Sequence, residues 1–244
     1  MKISISGCAG SGKSTLVRSI LHRWPMYTTP IKTYRDIIKE NNLSHSSNTN
    51  EESQLLILDW MMQEQEKYGK DSKVIFDRCP YDNLAYTLQG NSNNLISDEI
   101  TAATISFVRE AMKGLDIIFW IKRDPNIRIV EDGLRDTNID FIEQSDAIFT
   151  DLFHQYCENL ESDIFFPATD CPAIIMVEGA SIDDRLQFIG EFLDYKGDLI
   201  ETESSILDPS NADLLEQMIK EQQVEIGNDV QMKSIIKNIK NIKV

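Results

Sequence analysis

The chain has 244 residues, of which 24 are Lys or Arg and 40 are Asp or Glu, and its net charge is −16. This length suits one well-buried α/β domain with a short appendage and does not comfortably accommodate a second full domain. Because nucleic-acid binding draws most of its affinity from Lys and Arg, the acidic balance makes a broad nucleic-acid-binding face unlikely and leaves room for a local basic cleft.

The cysteines indicate a reducing compartment, and the short apolar segments indicate a protein that does not span a membrane. The four cysteines are widely spaced and form no CxxC pair, so they suggest neither a zinc site nor a disulfide framework. No apolar stretch approaches the roughly 20 residues of a membrane span, and the opening MKISISG runs directly into a glycine-rich loop. We therefore expect a cytoplasmic protein without a signal peptide. Its many Asn, Ile and Lys residues are typical of an AT-rich genome such as a phage's, in which case the compartment is the host cytoplasm.

Short apolar segments alternate with amphipathic segments along most of the chain. Strands are predicted at residues 2–6, 26–33, 73–77, 116–121 and 173–177. Helices are predicted at residues 13–21, 35–40, 51–68, 82–88, 97–113, 141–159 and 182–193. Strands that alternate with helices form a parallel sheet covered on both faces, so we predict a three-layer α/β sandwich with a five-stranded parallel sheet.

The first predicted strand leads into a phosphate-binding motif. Residues 7–14 read GCAGSGKS, an intact G-x-x-x-x-G-K-S motif (Walker A) between a strand and the start of a helix. The loop amides and the positive end of the helix converge on phosphate oxygens, Lys13 reaches the β- and γ-phosphates, and the Ser14 hydroxyl ligates Mg²⁺. The predicted residues that bind the nucleoside triphosphate are Gly7, Cys8, Ala9, Gly10, Ser11, Gly12, Lys13, Ser14 and Thr15.

A second candidate site lies where the third predicted strand ends. Asp77 and Arg78 follow the apolar run VIF, and Pro80 comes shortly after them. The carboxyl end of this strand neighbours the P-loop, so Asp77 is suited to hold the water shell of Mg²⁺ or to accept the proton of an acceptor hydroxyl. Arg78 is suited to bind a phosphate or the acceptor. A simple salt bridge at the end of the strand is the alternative explanation.

A basic cluster follows the fourth predicted strand, within the segment IKRDPNIRIVEDGLRD. An Arg-bearing lid stabilises the charge that develops on a transferred phosphoryl group and excludes water. Arg128 and Arg135 are the lid candidates, with Arg123 behind them. The alternative is a solvated helix whose arginines pair with acidic neighbours.

Four segments together resemble one family of small P-loop enzymes. They read GCAGSGKST, ESQLLILDWMMQEQEKY, VIFDRCPYDNLAYT and VEDGLRD. Their combination is similar to the P-loop nucleoside/nucleotide-kinase-like ATPases, which include nicotinamide-riboside-kinase-like domains and many phage proteins. The resemblance covers roughly residues 1–193. It implies a five-stranded parallel core, ATP at the P-loop, the acceptor across the cleft and a lid after the fourth strand.

The resemblance also implies a catalytic base near the end of the second strand. In related kinases an acidic residue there often takes the proton of the acceptor. This region reads KTYRD in the present chain, so either Asp36 or Asp77 serves as the base. Arg35, beside Asp36, is assigned to the acceptor, as is Gln54, which follows the polar loop SHSSNTN.

The adenine pocket is the third expectation from the resemblance. Gly179 and Arg185, in the segment VEGASIDDR after the last predicted strand, would border it. A helix N-cap at Ser181 with an exposed Arg185 explains the same residues equally well.

The chain changes character after residue 196. Residues 197–213 are acidic, and the helical segment that follows ends in KSIIKNIKNIKV, whose Ile and Lys spacing is amphipathic and basic. We interpret residues 1–196 as a P-loop kinase domain and 197–244 as a C-terminal helical arm, suited to contacts in a homo-oligomer.

The leading functional hypothesis is an ATP- and Mg²⁺-dependent kinase that phosphorylates a small nucleoside- or nucleotide-type acceptor. One alternative is a kinase of a modified base, such as hydroxymethylpyrimidine, in phage DNA, although the acidic charge opposes it. Another is a nucleotide-dependent switch or scaffold, in which bound nucleotide orders a loop that a partner recognises.

Overall fold

The computed structural model describes residues 1–126, 137–158 and 164–200. In this part of the chain four strands form one sheet, in the order β2-β1-β3-β4. They are β1 (Lys2–Ser6), β2 (Val74–Asp77), β3 (Ile117–Ile121) and β4 (Ala173–Val177), and every neighbouring pair is parallel. The central strand β1 therefore delivers the P-loop to the carboxyl edge of the sheet, where ligands of open α/β sheets bind.

The predicted strand at residues 26–33 is wrong, so the described sheet has four strands and not five. Only Thr28 pairs with the sheet, through a single bridge to Val74 at the β2 edge. Pro30 follows two residues later and has no N–H to continue a ladder. Ile31 is fully exposed, which shows that the segment has already left the sheet.

Seven α-helices cover the sheet in the described residues, and the predicted helices are confirmed with shifted ends. They are α1 (Lys13–Arg23), α2 (Tyr34–Asn41), α3 (Glu51–Glu66), α4 (Pro80–Ser92), α5 (Asp98–Met112), α6 (Ile139–Glu158) and α7 (Ile182–Ile189). A short 3-10 helix, Ser46–Asn48, lies in the polar loop before α3. None of the described helices is both long and apolar enough to cross a bilayer.

The two faces of the sheet bury two separate cores, as the strand period of two requires. Along β3, Phe119 packs with α1 and α7 in one core, whereas Trp120 packs with α4, α5 and α6 in the other. Both rings are fully buried. This alternation gives the three-layer sandwich that the sequence predicts.

Residues just beyond the predicted domain boundary at 196 still pack on the domain. The Tyr27 hydroxyl donates to the carbonyl of Gly197 over 2.6 Å, and Leu199 bridges back to Leu193. The arm itself, from residue 201 onward, lies outside the described residues, so the division into domain and arm stays a prediction.

Tyr156 of α6 anchors the outer strand β4. Its hydroxyl accepts a hydrogen bond from the amide of Ile174 over 3.1 Å and donates to the carbonyl of Pro172 over 3.3 Å. Because β4 lies at the edge of the described sheet, the amides on its outer side need partners other than a strand. The tyrosine supplies one of them.

We expect Tyr156→Phe to lower the free energy of unfolding by about 1–3 kcal/mol, because it leaves the buried amide of Ile174 without this acceptor. Urea denaturation followed by circular dichroism measures the change. Tyr195→Phe is the matched control, since the side chain of Tyr195 is 79% exposed. Equal stability of the two variants would contradict the anchoring role.

Candidate active site

The P-loop takes a course that its glycines make possible. Gly7, Gly10 and Gly12 have φ values of 139°, 80° and 90°, which side-chain-bearing residues rarely adopt. A Cβ atom on Gly7 would lie 2.6 Å from the carbonyl oxygen of Ile121. Helix α1 begins directly after the loop and has no side-chain N-cap, so its first amides remain available to an anion.

Lys13 lies buried inside the curve of the loop. Its Nζ donates to the carbonyl of Cys8 over 2.5 Å and to the hydroxyl of Ser11 over 3.2 Å. Burial, together with the positive charge of Arg78, lowers its pKa to about 7, although Asp82 acts in the opposite direction. An ammonium group held by two neutral oxygens in a cradle of glycines fits a bound phosphate, which would supply the missing negative charge.

Asp82 connects the P-loop to the segment that follows β2. The carboxylate is 1% exposed and accepts four hydrogen bonds. One oxygen accepts from the Ser6 hydroxyl over 2.7 Å and from the Cys79 amide over 3.1 Å. The other accepts from the Gly7 amide and from Arg78 Nη1, each over 3.1 Å. The Gly7 amide is therefore engaged by Asp82, and Gly7 shapes the loop.

The sequence analysis did not select Asp82, although the chain carries a local signal for it. Asp82 stands at the third position of α4, whose N-cap is Cys79 and whose first residue is Pro80. A carboxylate at this position reaches back to the N-cap amide, as in a capping box. Its contacts with Ser6 and Gly7, 76 and 75 residues away in the chain, could not be predicted from that pattern.

Arg78 is a buried cation held between two aromatic rings. Its guanidinium carbon lies 4.7 Å from the ring centre of Tyr34 and 5.0 Å from that of Tyr86. Nη2 also donates to the Tyr86 hydroxyl over 3.4 Å, whereas Nε has no hydrogen-bond partner among the described residues. The backbone of Arg78 is left-handed, with φ of 80°. The side chain thus keeps donor capacity beside the P-loop.

One cleft of about 1140 Å³, including space open to solvent, joins the P-loop to the helices beyond Arg78. Of the predicted site residues, those that line it are Ala9, Gly10, Gly12, Lys13, Ser14, Thr15, Arg35, Gln54, Asp77 and Arg78. Its far side is formed by aromatic and amide side chains that the sequence analysis did not select. They are Tyr34, Asn83, Tyr86, Gln89, Asn93 and Phe141.

Gln54 belongs to a buried amide network in this far side. Its Nε2 donates to the Thr49 hydroxyl over 2.7 Å, and its Oε1 accepts from Asn83 Nδ2 over 2.9 Å. The other amide atom of Asn83, Oδ1, is buried and has no hydrogen-bond partner in the described residues. A buried acceptor without a partner is costly unless a ligand supplies a donor.

The two candidate bases differ in position. Asp36 lies in the capping box of α2, where its carboxylate accepts from the amide and the hydroxyl of Thr33, each over 2.8 Å. These hydrogen bonds lower its pKa, and Asp36 does not line the cleft. Asp77 does line the cleft, beside Arg78. The geometry therefore favours Asp77.

Arg185 lies behind the P-loop, which corrects the expectation of an exposed side chain. It is 2% exposed; Nη1 donates to the Ser11 carbonyl over 2.6 Å, and Nε donates to the Gly179 carbonyl over 3.0 Å. Neither Arg185 nor Gly179 lines the cleft. Ser181 is indeed the N-cap of α7, so Arg185 braces the loop from the side of that helix.

The predicted lid falls largely outside the described residues, which exclude 127–136 and with them Arg128 and Arg135. Arg123 lies just before this gap, with Nη1 3.8 Å from a carboxylate oxygen of Glu143. Within the described ranges no group of three or more His, Cys, Asp or Glu side chains could hold a metal ion. P-loop enzymes need no such group, because a Ser or Thr hydroxyl, phosphate oxygens and water supply the Mg²⁺ ligands; Ser14 stays the predicted ligand in this chain.

Comparisons with known proteins agree with this geometry. Deoxyadenosine kinase from M. mycoides superposes with a TM-score of 0.58 at 15% identity, over 78% of this chain and 96% of that one. NadR superposes with a TM-score of 0.54 at 16% identity, over 83% of this chain and 53% of that one. Thymidylate kinase from Candida albicans superposes with a TM-score of 0.51 at 19% identity, over 78% of this chain and 90% of that one. No curated protein matches the sequence.

The strand order and the loop define a P-loop protein with the fold of the nucleoside and nucleotide kinases. A family model described as an AAA domain matches residues 2–160, which is more than half of the chain. The protein belongs to this AAA domain family. The family resemblance expected from the four motifs is thereby confirmed.

We expect the affinity for MgADP to fall as the pH rises above 7. A bound phosphate raises the pKa of Lys13 from about 7 toward its ordinary value, so binding above pH 7 takes up a proton. Below the Lys13 pKa of the free protein, the lysine is already charged and the affinity does not change with pH. Above it, each pH unit costs up to about tenfold in affinity until the pKa of the complex is reached.

Titration calorimetry with MgADP between about pH 6 and about pH 9 measures this dependence. Lys13→Met is the control, because it removes the titrating group and should flatten the curve at a lower affinity. A wild-type affinity that stays constant across the range would contradict a depressed Lys13 pKa.

Proposed function

We propose that the protein is a kinase that transfers the γ-phosphoryl group of MgATP to a hydroxyl of a small nucleoside- or nucleotide-type acceptor. One observation carries the proposal: the P-loop and a group of buried amides and aromatic rings line one and the same cleft. Asp77 and Arg78 also line it, and Arg78 contacts both the Gly7 carbonyl of the P-loop and the rings of Tyr34 and Tyr86. Phosphoryl transfer needs this arrangement, because donor phosphate and acceptor hydroxyl must meet in line.

The donor end acts through charge and orientation. The amides of Gly10, Gly12 and the first turn of α1 hold the β- and γ-phosphates. Lys13 breaks its hydrogen bonds to the Cys8 carbonyl and the Ser11 hydroxyl and contacts the phosphates instead. Arg185 holds the loop from behind through the Ser11 carbonyl. Ser14 would hold Mg²⁺, which when bound neutralises phosphate charge and supports departure of the leaving group.

The transfer step needs a proton acceptor and a cation. As the acceptor oxygen bonds to phosphorus, the bond between phosphorus and the β–γ bridging oxygen breaks and ADP leaves. The hydroxyl proton passes to the Asp77 carboxylate. Arg78, fixed by Asp82 and by the rings of Tyr34 and Tyr86, donates to the transferred group as its charge spreads over three oxygens.

The acceptor end supports a nucleoside-like compound. Gln54 and Asn83 contribute amide groups to the buried lining of the cleft, and Asn83 Oδ1 has no hydrogen-bond donor among the described residues. Rings with N–H groups or exocyclic amino groups carry such donors. Tyr34, Tyr86 and Phe141 supply flat apolar surface in the same cleft, against which a planar ring packs.

Incubating the protein with Mg²⁺, γ-labelled ATP and a panel of acceptors tests the proposal. The panel contains nucleosides, nucleoside monophosphates, nicotinamide riboside and modified-base DNA, and Lys13→Ala is the control. Transfer to one class of small acceptor, lost in the control, is the expected result. Label only in DNA would show that the acceptor is a base in a polymer. ATP binding without transfer to any acceptor would overturn the kinase and favour a nucleotide-dependent switch.

We expect Asp77→Asn to lower kcat by about 10²- to 10⁴-fold, because the amide cannot take the acceptor proton. Asp36→Asn is the matched comparison. It should keep kcat and lower stability by about 0.5–2 kcal/mol through the weakened cap. Steady-state kinetics and thermal unfolding measure both variants. The reverse pattern, an inactive Asp36→Asn and an active Asp77→Asn, would identify Asp36 as the base.

A further inference from the structure

Gln89 is a buried amide on α4 whose two ends both contact the beginning of α6. The side chain is 1% exposed. Its Nε2 donates to the carbonyl of Phe141 over 2.7 Å, and its Oε1 accepts from the hydroxyl of Ser145 over 2.7 Å. The Ser145 hydroxyl also lies 2.9 Å from the same Phe141 carbonyl. One side chain thus joins the first two turns of α6 to α4.

The residue held in this way forms part of the cleft. The ring of Phe141 is stacked on that of Tyr86, with ring centres 6.3 Å apart and an angle of 15° between the planes. Tyr86 in turn faces the guanidinium of Arg78. Phe141, Tyr86 and Gln89 all line the cleft. A shift of the first turn of α6 would therefore move a wall of the acceptor pocket.

The hydrogen bonds of Gln89 to this turn of α6 are more buried than those of the neighbouring Asn93. Gln89 Nε2 also donates to Gln144 Oε1 over 3.2 Å, whereas the hydrogen bonds between Asn93 and Gln144 are exposed. A buried pair of hydrogen bonds fixes orientation more firmly than an exposed one, because water does not compete for its donors and acceptors. The stack of Phe141 on Tyr86 and the apolar packing of Ile142 are less directional than these hydrogen bonds, so they define the orientation of the turn less sharply.

We propose that Gln89 is a positioning residue that holds Phe141 as the outer wall of the acceptor pocket and so determines how tightly a planar acceptor ring is bound. The inference rests on the proposed function, since it concerns the acceptor half of the same cleft. It assigns the acceptor class more narrowly, to compounds with a flat ring that packs against Phe141. Gln89 acts through Phe141, not on the reacting atoms.

The test compares Gln89→Met, which keeps the length and loses the hydrogen bonds to α6, with Phe141→Leu, which removes the ring. We expect each variant to raise the acceptor KM by about tenfold or more, with kcat within about threefold and the ATP KM unchanged. The double variant should add little to either single one, because both act through the same wall. Thr150→Ala, which removes a bond within α6 only, should change none of these constants.

A purely structural amide would give a different pattern. Gln89→Met would then lower the unfolding midpoint and the active fraction, so kcat would fall while both KM values stayed at the wild-type level. That result, or additive effects in the double variant, would overturn the proposal. Gln89→Glu should restore the bond with Ser145 only and give an intermediate acceptor KM.

A second readout separates this proposal from the kinase itself. The chain has three native tryptophans, so the emission of the tryptophan added by Phe141→Trp is taken as the difference from the matching chain that keeps Phe141. Release of the first turn by Gln89→Met should shift this difference emission to longer wavelength, whether or not any acceptor is phosphorylated. If the wild-type protein phosphorylates nothing, the proposed function fails while this shift still reports on the wall. An emission that Gln89→Met leaves unchanged would show that Gln89 does not hold residue 141 in place.

Discussion

The buried carboxylate of Asp82 is the contact on which the rest of the site depends. Through four hydrogen bonds it ties the end of β1, the start of the P-loop, the cap of α4 and the side chain of Arg78 to one point. A buried carboxylate is tolerable only when its lone pairs are filled and its charge is opposed. Both conditions are met here, so the P-loop and the side chain of Arg78 keep a fixed relation.

The local features of this protein follow from the sequence, whereas the long-range ones do not. The alternation of apolar strand segments with amphipathic helices predicts the sandwich, and the glycines at residues 7, 10 and 12 predict the P-loop, because both signals are properties of short segments. Nothing local shows that Tyr34 and Tyr86 enclose Arg78. Those rings come from two helices that meet only in the folded protein.

The errors have similar physical origins. The segment at residues 26–33 carries strand-like side chains, yet Pro30 interrupts any ladder there. A lone arginine after a strand gives no indication of the direction of its side chain, so the alternative of an exposed Arg185 is wrong: the side chain is buried against the loop, while its place beside an adenine pocket stays a prediction. Gln89 and Phe141 escaped notice because amides and phenyl rings in helices are ordinary core and surface residues until their partners are known.

The protein is acidic overall, but its buried basic side chains are concentrated at the P-loop. Although the chain carries a net charge of −16, the buried Lys and Arg side chains of the described residues are Lys13, Arg78 and Arg185, and each contacts the P-loop backbone. Arg185 and the protonated form of Lys13 place positive charge against the loop in a low-dielectric setting, and Asp82 offsets part of the charge of Arg78. A polyanion is thus repelled by most of the surface and attracted at one place.

The left-handed backbone of Arg78 sets two requirements of the protein against each other. For a residue with a side chain, this conformation costs about 1–3 kcal/mol, and glycine would adopt it without that cost. Glycine would also remove the cation that pairs with the Asp82 carboxylate and packs between the rings of Tyr34 and Tyr86. Under the proposed function, stability and turnover are therefore opposing demands at this position: the substitution that relieves the backbone also removes the cation assigned to the transferred phosphoryl group.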